Sequence, residues 1–244
     1  MIRKTRLLSQ IALALSGMAL GFPAGAHYLW LQHDGKAGHL YFGEYEESVR
    51  ERSPGRLDEM PGPVLQTIGR DGSVEPLSAT REASGFTFGM PRQGATVLAT
   101  ESHYAVKDWT RHHIGVVKPM FYARLIGNPK ESGGKTLPLD IQPTAKPQEF
   151  RITFRDAPLP GVDVRVIARN GWAREATSDR NGLVRFSLPW QGQYILHAVH
   201  LEQSAGTFEG KAYEAIRHRT TATLVLRTGA PTEAPAAWHA STPE

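Results

Sequence analysis

Short stretches in which apolar and polar residues alternate recur along most of the chain, and no long stretch repeats with the period of an α-helix. Residues 27–32 and 39–45 flank the turn sequence HDGKAG, and two further runs lie on either side of Ala83-Ser84-Gly85. Alternation with a period of two, interrupted by glycine and proline, is typical of strands joined by hairpins. We therefore predict an all-β chain. The segment ERSPGRLDEMPGP interrupts the strands as a loop with one short helical turn.

The alternation is clearest in the second half of the chain. In VDVRVIAR, Val164 and Val166 fall on one predicted face, and Asp163 and Arg165 fall on the other. Asn181-Gly182 predicts a turn before VRFSL, and the segments GQYILHAVHL and TTATLVL supply two further strands. This pattern predicts a compact β-sandwich over residues 149–228.

The first 26 residues have the pattern of a secretory signal peptide. Arg3, Lys4 and Arg6 precede an apolar stretch over residues 7–22, and Ala24-Gly25-Ala26 matches a small-residue cleavage site. Cleavage after Ala26 predicts a periplasmic protein that begins at His27. An uncleaved membrane anchor is the alternative.

The mature chain is predicted to have two β domains. An N-terminal β domain covers residues 27–130, a connector covers 131–148 and the C-terminal β-sandwich covers 149–228. Because the connector contains few residues that pack, the fragment 148–228 is expected to fold alone. The tail 229–244 is rich in Ala, Pro, Thr and Glu and is predicted to be disordered.

Composition excludes several classes of function. The formal charge is +4, from 28 Lys and Arg against 24 Asp and Glu. Removing the three basic residues of the leader leaves 25 against 24, or +1, so the charge indicates no nucleic-acid partner. The chain has no cysteine, which excludes thiolate zinc sites and iron–sulfur clusters. A metal site must therefore use histidine, carboxylate, methionine or backbone donors.

No catalytic motif emerges from the sequence, and we predict that the protein is not an enzyme. The segment ESGGKT lacks the first glycine of a phosphate-binding loop, because Pro129 stands at that position, and LPL follows it instead of a helix. The patterns H-E-x-x-H and G-x-S-x-G are absent from the sequence. A dispersed Ser/His/Asp triad stays open, since its members meet in space rather than along the chain.

His27 is the leading candidate for a metal ligand. After cleavage its free α-amine and its imidazole can chelate one ion together, and a second histidine would complete a histidine brace of three nitrogens. Imidazole donors without thiolate favour nickel, cobalt, copper(II) or zinc. The alternative is that His27 merely begins an edge strand.

Four other histidines are candidates to complete the site. His200 falls near the end of a predicted strand and His103 shares a predicted strand with Glu101. His112 and His113 are adjacent, so we expect one of them at most to join a given site. His197 is three residues from His200 and is predicted to face the other way, as a hydrogen-bonded core residue. His33 and His218 are interpreted as ordinary surface histidines.

A family resemblance accompanies these residues. The leader followed by HYLWLQ resembles the His-x-x-Trp opening of exported bacterial proteins long catalogued as a domain of unknown function and associated with nickel/cobalt-type transport. The likeness continues in KPMFYARLIG and in LPLDIQP, where Asp140 replaces a glutamate. It ends in the segments APLPGVDVRVIA and TSDRNGLVRFSLPWQGQYILHAVH, which are similar to the family's transthyretin-like/immunoglobulin-like second domain, a sandwich that also accompanies carboxypeptidases. The segment ERSPGRLDEMPGPVLQTIGRDGS matches no part of that pattern, so ligands from it stay open.

The resemblance covers most of residues 26–226 and implies a periplasmic role in transition-metal handling, with His27 as the family's leading histidine. We therefore expect a protein that binds a divalent transition metal, nickel or cobalt by resemblance, for uptake or delivery. The expected partners are the metal ion and a membrane metal transporter or outer-membrane receptor. Two alternatives remain: an adaptor module for such a transporter or receptor, and a copper protein, such as an oxidase, that uses the same brace.

Overall fold

A computed structural model describes residues 27–90, 92, 94–127, 137–232 and 237–241 of the chain. The predicted signal peptide and the segment ESGGKT lie outside these residues. Strands dominate, and the two helical segments are 3₁₀ turns at Arg56–Glu59 and Thr110–His112. The prediction of an all-β chain is confirmed, and the first 3₁₀ turn is the helical turn expected in ERSPGRLDEMPGP. Among the residues described, no helix is long and apolar enough to cross a membrane.

The described residues form twenty strands. Those of the first half are β1 (Tyr28–His33), β2 (Ala37–Glu44), β3 (Val49–Arg50), β4 (Val64–Ile68), β5 (Val74–Leu77), β6 (Ala79–Glu82), β7 (Gly85–Gly89), β8 (Thr96–Glu101), β9 (Lys107–Asp108) and β10 (Val116–Leu125). Those of the second half are β11 (Leu139–Pro143), β12 (Glu149–Phe154), β13 (Ala157–Pro158), β14 (Asp163–Ala168), β15 (Ala173–Thr177), β16 (Leu183–Arg185), β17 (Gly192–Glu202), β18 (Gly206–Phe208), β19 (Lys211–Tyr213) and β20 (Ala215–Leu226).

Two large sheets organise the fold. The N-terminal sheet has the order β1-β2-β7-β6, with β3 paired to β2. The central sheet has nine strands in the order β15-β14-β17-β20-β10-β8-β4-β5, with β9 paired to β10. A smaller sheet contains β11, β12, β13 and β16, and β18 pairs with β19. The predicted hairpins β1-β2 and β6-β7 are confirmed.

The central sheet contains strands from both of the predicted domains. β10 and β20 pair in parallel, from Val117 opposite Ala215 to Leu125 opposite Thr223. The largest buried cluster likewise takes residues from both sides of the predicted connector, among them Tyr122 and Val166, and from the connector itself, among them Ile141. One sheet and one core therefore connect the two halves of the chain.

The outer edge of β1 is held by side chains of the central sheet instead of by another strand. Alternate residues of β20 point at β1 and satisfy its backbone carbonyls. Arg219, Thr221 and Thr223 donate hydrogen bonds to the carbonyl oxygens of His27, Leu29 and Leu31, respectively. We call these three residues the β20 ladder. The ladder fixes the position of His27 on the central sheet.

Part of the segment predicted to be disordered lies against β3. The Arg50 N–H donates to the His239 carbonyl oxygen at 2.8 Å, and the His239 N–H donates to the Ser48 carbonyl oxygen at 3.0 Å. The ring of Trp238 stacks on that of Trp30, with 5.7 Å between the ring centroids. Residues of the tail thus cover one end of the N-terminal sheet.

Candidate functional site

The imidazole of His27 lies between two carboxylates beside β1. Its Nδ1 is 2.9 Å from Glu44 Oε1, and its Nε2 contacts Glu51 Oε1. Glu44 is the last residue of β2 and Glu51 directly follows β3, so the pairing of β2 with β1 and with β3 brings both carboxylates to His27. We call His27, Glu44 and Glu51 the His27 site.

The contact between His27 and Glu51 is buried, and this determines which ring nitrogen carries the proton. Glu51 is only 2% exposed and His27 only 8%, and a carboxylate that has left water needs a hydrogen-bond donor. A proton on Nε2 meets that need. The Nδ1 atom then presents its lone pair toward Glu44, whose side chain is 24% exposed. The gap between Nδ1 and Glu44 therefore suits a second proton or a cation.

The central sheet separates His200 from the His27 site. Successive residues of a strand point to opposite faces, and Arg219, which contacts the His27 carbonyl, is adjacent to His218. His200 pairs with His218 across β17 and β20 and lies on the same face as His218. The structure therefore does not bring His200 and His27 together. His197 stacks on Tyr28 and faces the other way from His200, as predicted.

The interpretation of His218 as a surface residue is wrong. The residue is 4% exposed, and its Nε2 lies 2.9 Å from Glu202 Oε2 while its Nδ1 lies 3.0 Å from the Tyr122 hydroxyl. Burial holds its pKa below the ordinary histidine value, against the opposing effect of Glu202. Both ring nitrogens have partners, so this cluster is a satisfied hydrogen-bond network.

The remaining candidates are more exposed. The His103 side chain is 57% exposed, and its Nδ1 lies 3.7 Å from Oε1 of the buried Glu101. His112 ends the second 3₁₀ turn, and His113 follows it with a left-handed backbone at φ 59°. Both are exposed. The structure records no contact of these three residues with His27.

Positive charge accumulates on the face of the central sheet that carries the β20 ladder. Arg219 is 5% exposed, and burial lowers the pKa of the half-buried Arg217 to about 10. His197 shares this face, and burial, followed by Arg219, Arg217 and Arg165, holds its pKa well below the usual range. The imidazole of His197 is therefore neutral at neutral pH, and the arginines carry the charge.

Sequence reasoning singled out His27 and missed both of its neighbours. Glu44 and Glu51 lie in a charged stretch, EYEESVRER, that has the composition of a solvated surface. Only the pairing of β2 and β3 turns them toward His27. Within the described part of the chain, no three His, Asp or Glu side chains already converge as a complete set of metal ligands.

The fold and the site together define an all-β protein with a buried histidine clamped by two carboxylates at the edge of a sheet. The chain belongs to the family described as Domain of unknown function (DUF4198), whose model matches residues 24–202. No curated protein and no solved structure matches the chain.

Proposed function

We propose that the mature protein binds a divalent transition metal at the His27 site and serves in metal uptake or delivery in the periplasm. The observation that carries the proposal is the orientation of the His27 ring, with Nε2 on the buried Glu51 and Nδ1 at 2.9 Å from Glu44. In this arrangement Nδ1 and a Glu44 oxygen are the two side-chain ligands.

The contact between Glu51 and Nε2 supports a ligand role for Nδ1. Histidines that bind metals usually donate their other ring N–H to a carboxylate, which fixes the tautomer and the ring orientation. Nitrogen and oxygen ligands lie about 2.0–2.2 Å from such an ion. Two ligands at a right angle, as in octahedral or square-planar coordination, are then about 3 Å apart, which is close to the distance from Nδ1 to Glu44. At a tetrahedral angle they are about 3.4 Å apart. A metal ion would replace the proton that otherwise lies between them.

Processing would supply the third donor. Cleavage before His27 frees an α-amine that can form a chelate with Nδ1 of the same residue. One amine, one imidazole and one carboxylate make a set of borderline and hard donors, which suits nickel, cobalt, copper(II) or zinc. The absence of a third converging side chain among the described residues is consistent with a backbone donor in that place.

Competition titrations of nickel, cobalt, copper(II) and zinc into protein that begins at His27 test the proposal. His27→Ala removes Nδ1, Glu44→Gln removes the carboxylate, and one glycine added before His27 moves the amine out of chelating range. Each change is expected to weaken binding at least tenfold, or about 1.4 kcal/mol.

The matched control is His33→Ala, which changes an exposed histidine at the other end of β1 and is expected to leave the affinity unchanged. All variants must keep the thermal unfolding transition of the wild type. Wild-type affinity in His27→Ala would show that His27 only begins a strand. Wild-type affinity in the glycine-extended protein alone would retain the imidazole as a ligand and exclude the amine.

A further inference from the structure

Two residues of the tail, Trp238 and His239, contact the short strand β3. This strand is only two residues long and pairs with β2 through two residue pairs. The tail bonds to it as well, since the His239 N–H donates to the Ser48 carbonyl oxygen and the Arg50 N–H donates to the His239 carbonyl oxygen. Ser48 has a left-handed backbone at φ 56°, which a residue other than glycine keeps only where its surroundings hold it. β3 therefore depends on the tail as well as on β2.

The indole of Trp238 fixes the same strand through side chains. Its ring centroid is 5.7 Å from that of the fully buried Trp30 and 5.6 Å from that of Tyr45. The Arg50 guanidinium lies between two rings, 3.8 Å from the centroid of Trp238 and 3.7 Å from that of Tyr41. A cation over an aromatic face is attracted by the ring quadrupole. Trp238 thus holds the side chain of a residue whose backbone His239 also holds.

The next residue along the chain is Glu51, which belongs to the His27 site. The Glu51 N–H donates to the Phe42 carbonyl oxygen at 2.9 Å, and its carboxylate contacts Nε2 of His27. Because Arg50 and Glu51 are adjacent, contacts that fix the backbone of one also fix the backbone of the other. A shift of β3 by about 1 Å would break the bond to His27, since the heavy atoms of such bonds lie about 2.7–3.2 Å apart.

We propose that Trp238 is a positioning residue for the His27 site, which holds β3 and thereby keeps the Glu51 carboxylate on Nε2 of His27. The effect on metal binding rests on the proposed function, whereas the hold on Glu51 is a property of the metal-free protein. When the tail leaves β3, Glu51 moves away from Nε2, and the His27 ring loses the bond that fixes its orientation. Its Nδ1 is then no longer aimed at Glu44.

Hydrogen exchange of the metal-free mature protein, followed by NMR, measures the hold on Glu51. In Trp238→Ala the Glu51 amide is expected to exchange at least tenfold faster than in the wild type, because its bond to Phe42 opens more often. Trp238→Phe keeps an aromatic ring and is expected to restore part of the protection. The Ile126 amide, which donates to the Thr223 carbonyl in the central sheet, is expected to keep its exchange rate within twofold.

Two matched controls separate the tail contact from a general loss of stability. His239→Pro removes the N–H that bonds to Ser48 and is expected to resemble Trp238→Ala, whereas His239→Ala keeps that N–H, changes an exposed side chain and is expected to resemble the wild type. Trp172→Ala removes another half-buried indole, one that packs against Trp190 in the larger core. It is expected to leave the Glu51 exchange rate within twofold of the wild type.

Nickel titration of the same variants tests the effect on the site. Trp238→Ala is expected to weaken nickel binding about threefold or more. It is expected to add no further loss in the background of Glu51→Leu, which fills similar space without a carboxylate, because the tail acts through Glu51. An equal loss in both backgrounds would overturn the inference.

The exchange measurement gives a second decision. A Glu51 amide that exchanges at the wild-type rate in Trp238→Ala, or equally fast in Trp238→Ala and Trp172→Ala, would overturn the inference and leave the proposed function standing. Faster exchange in Trp238→Ala alone, in a protein whose wild type binds no nickel, would overturn the proposed function and support the hold of Trp238 on Glu51.

Discussion

At the scale of single residues, a buried salt bridge between Arg124 and Asp140 contributes to the stability of the core outside the His27 site. Arg124 donates from Nε and Nη2 to the two Asp140 oxygens at 2.9 and 2.5 Å. Gln142 and the Leu137 N–H also donate to Oδ2. Asp140 has no exposed surface, and Arg124 is 3% exposed. Asp140 falls in the predicted connector, which was expected to pack little. In the structure this part of the connector is bound to Arg124 of β10.

Asp140→Asn is expected to lower the free energy of unfolding by about 3–5 kcal/mol, since it removes the carboxylate charge that pairs with the buried Arg124. Urea unfolding followed by tryptophan fluorescence measures the change. Glu75→Gln, at an exposed position of β5, is the control and should shift stability by less than about 0.5 kcal/mol. A loss below 1 kcal/mol for Asp140→Asn would mean that water reaches the pair.

At the scale of elements, the β20 ladder explains how an edge strand can lie buried. An edge strand presents unpaired backbone groups, and those of β1 face the central sheet instead of water. The side chains of the ladder repeat every second residue, in register with the outward carbonyls of β1. The ladder therefore supplies the hydrogen bonds that a neighbouring strand would otherwise make, and it fixes the position of His27 on the central sheet.

Thr221→Val is expected to cost about 1–3 kcal/mol of stability, because the Leu29 carbonyl loses its donor while it stays buried. Thr220→Val is a closely matched control. Thr220 is equally buried but points to the opposite face, and among the described residues its hydroxyl has no hydrogen-bond partner. Its replacement by valine should be neutral or stabilising. Equal effects of the two substitutions in thermal and urea unfolding would show that the ladder bonds contribute little.

At the scale of the whole molecule, the parallel pairing of β10 and β20 joins the chain's two halves. Parallel strands need a long crossover connection, and here the intervening residues include β11 to β19. The smaller sheet adds Leu139 and Ile141 of β11 to the same core as Tyr122 of β10. The stability of the second half therefore depends on residues outside it.

The fragment 149–228 is expected to lack a cooperative unfolding transition, although its sequence pattern alone predicts independent folding. It exposes the β10 side of β20 and loses Tyr122, Leu139 and Ile141 from its core. Circular dichroism with urea unfolding, compared with the chain 27–228, measures the difference. A cooperative transition in the isolated fragment would establish residues 149–228 as an independent domain.

The local pattern of the sequence determined much of this protein by itself. Alternation and turn residues located the first hairpin, the inward Val164 and Val166 and the turn at Gly182, whose φ is 70°. These features follow from strand geometry and backbone sterics, which act over a few residues. His27 became a candidate because of the predicted cleavage site before it, which is also a local feature.

Only the tertiary structure decided what surrounds His27. The clamp of Glu44 and Glu51 depends on strand pairing across up to 24 residues, and the Arg219 contact spans 192 residues of sequence. Likewise, His200 and His218 lie on the face of the central sheet opposite His27, because β17 pairs with β20 in the register that places His200 opposite His218. Strand order and register arise from the packing of the whole core, so no local pattern contains them.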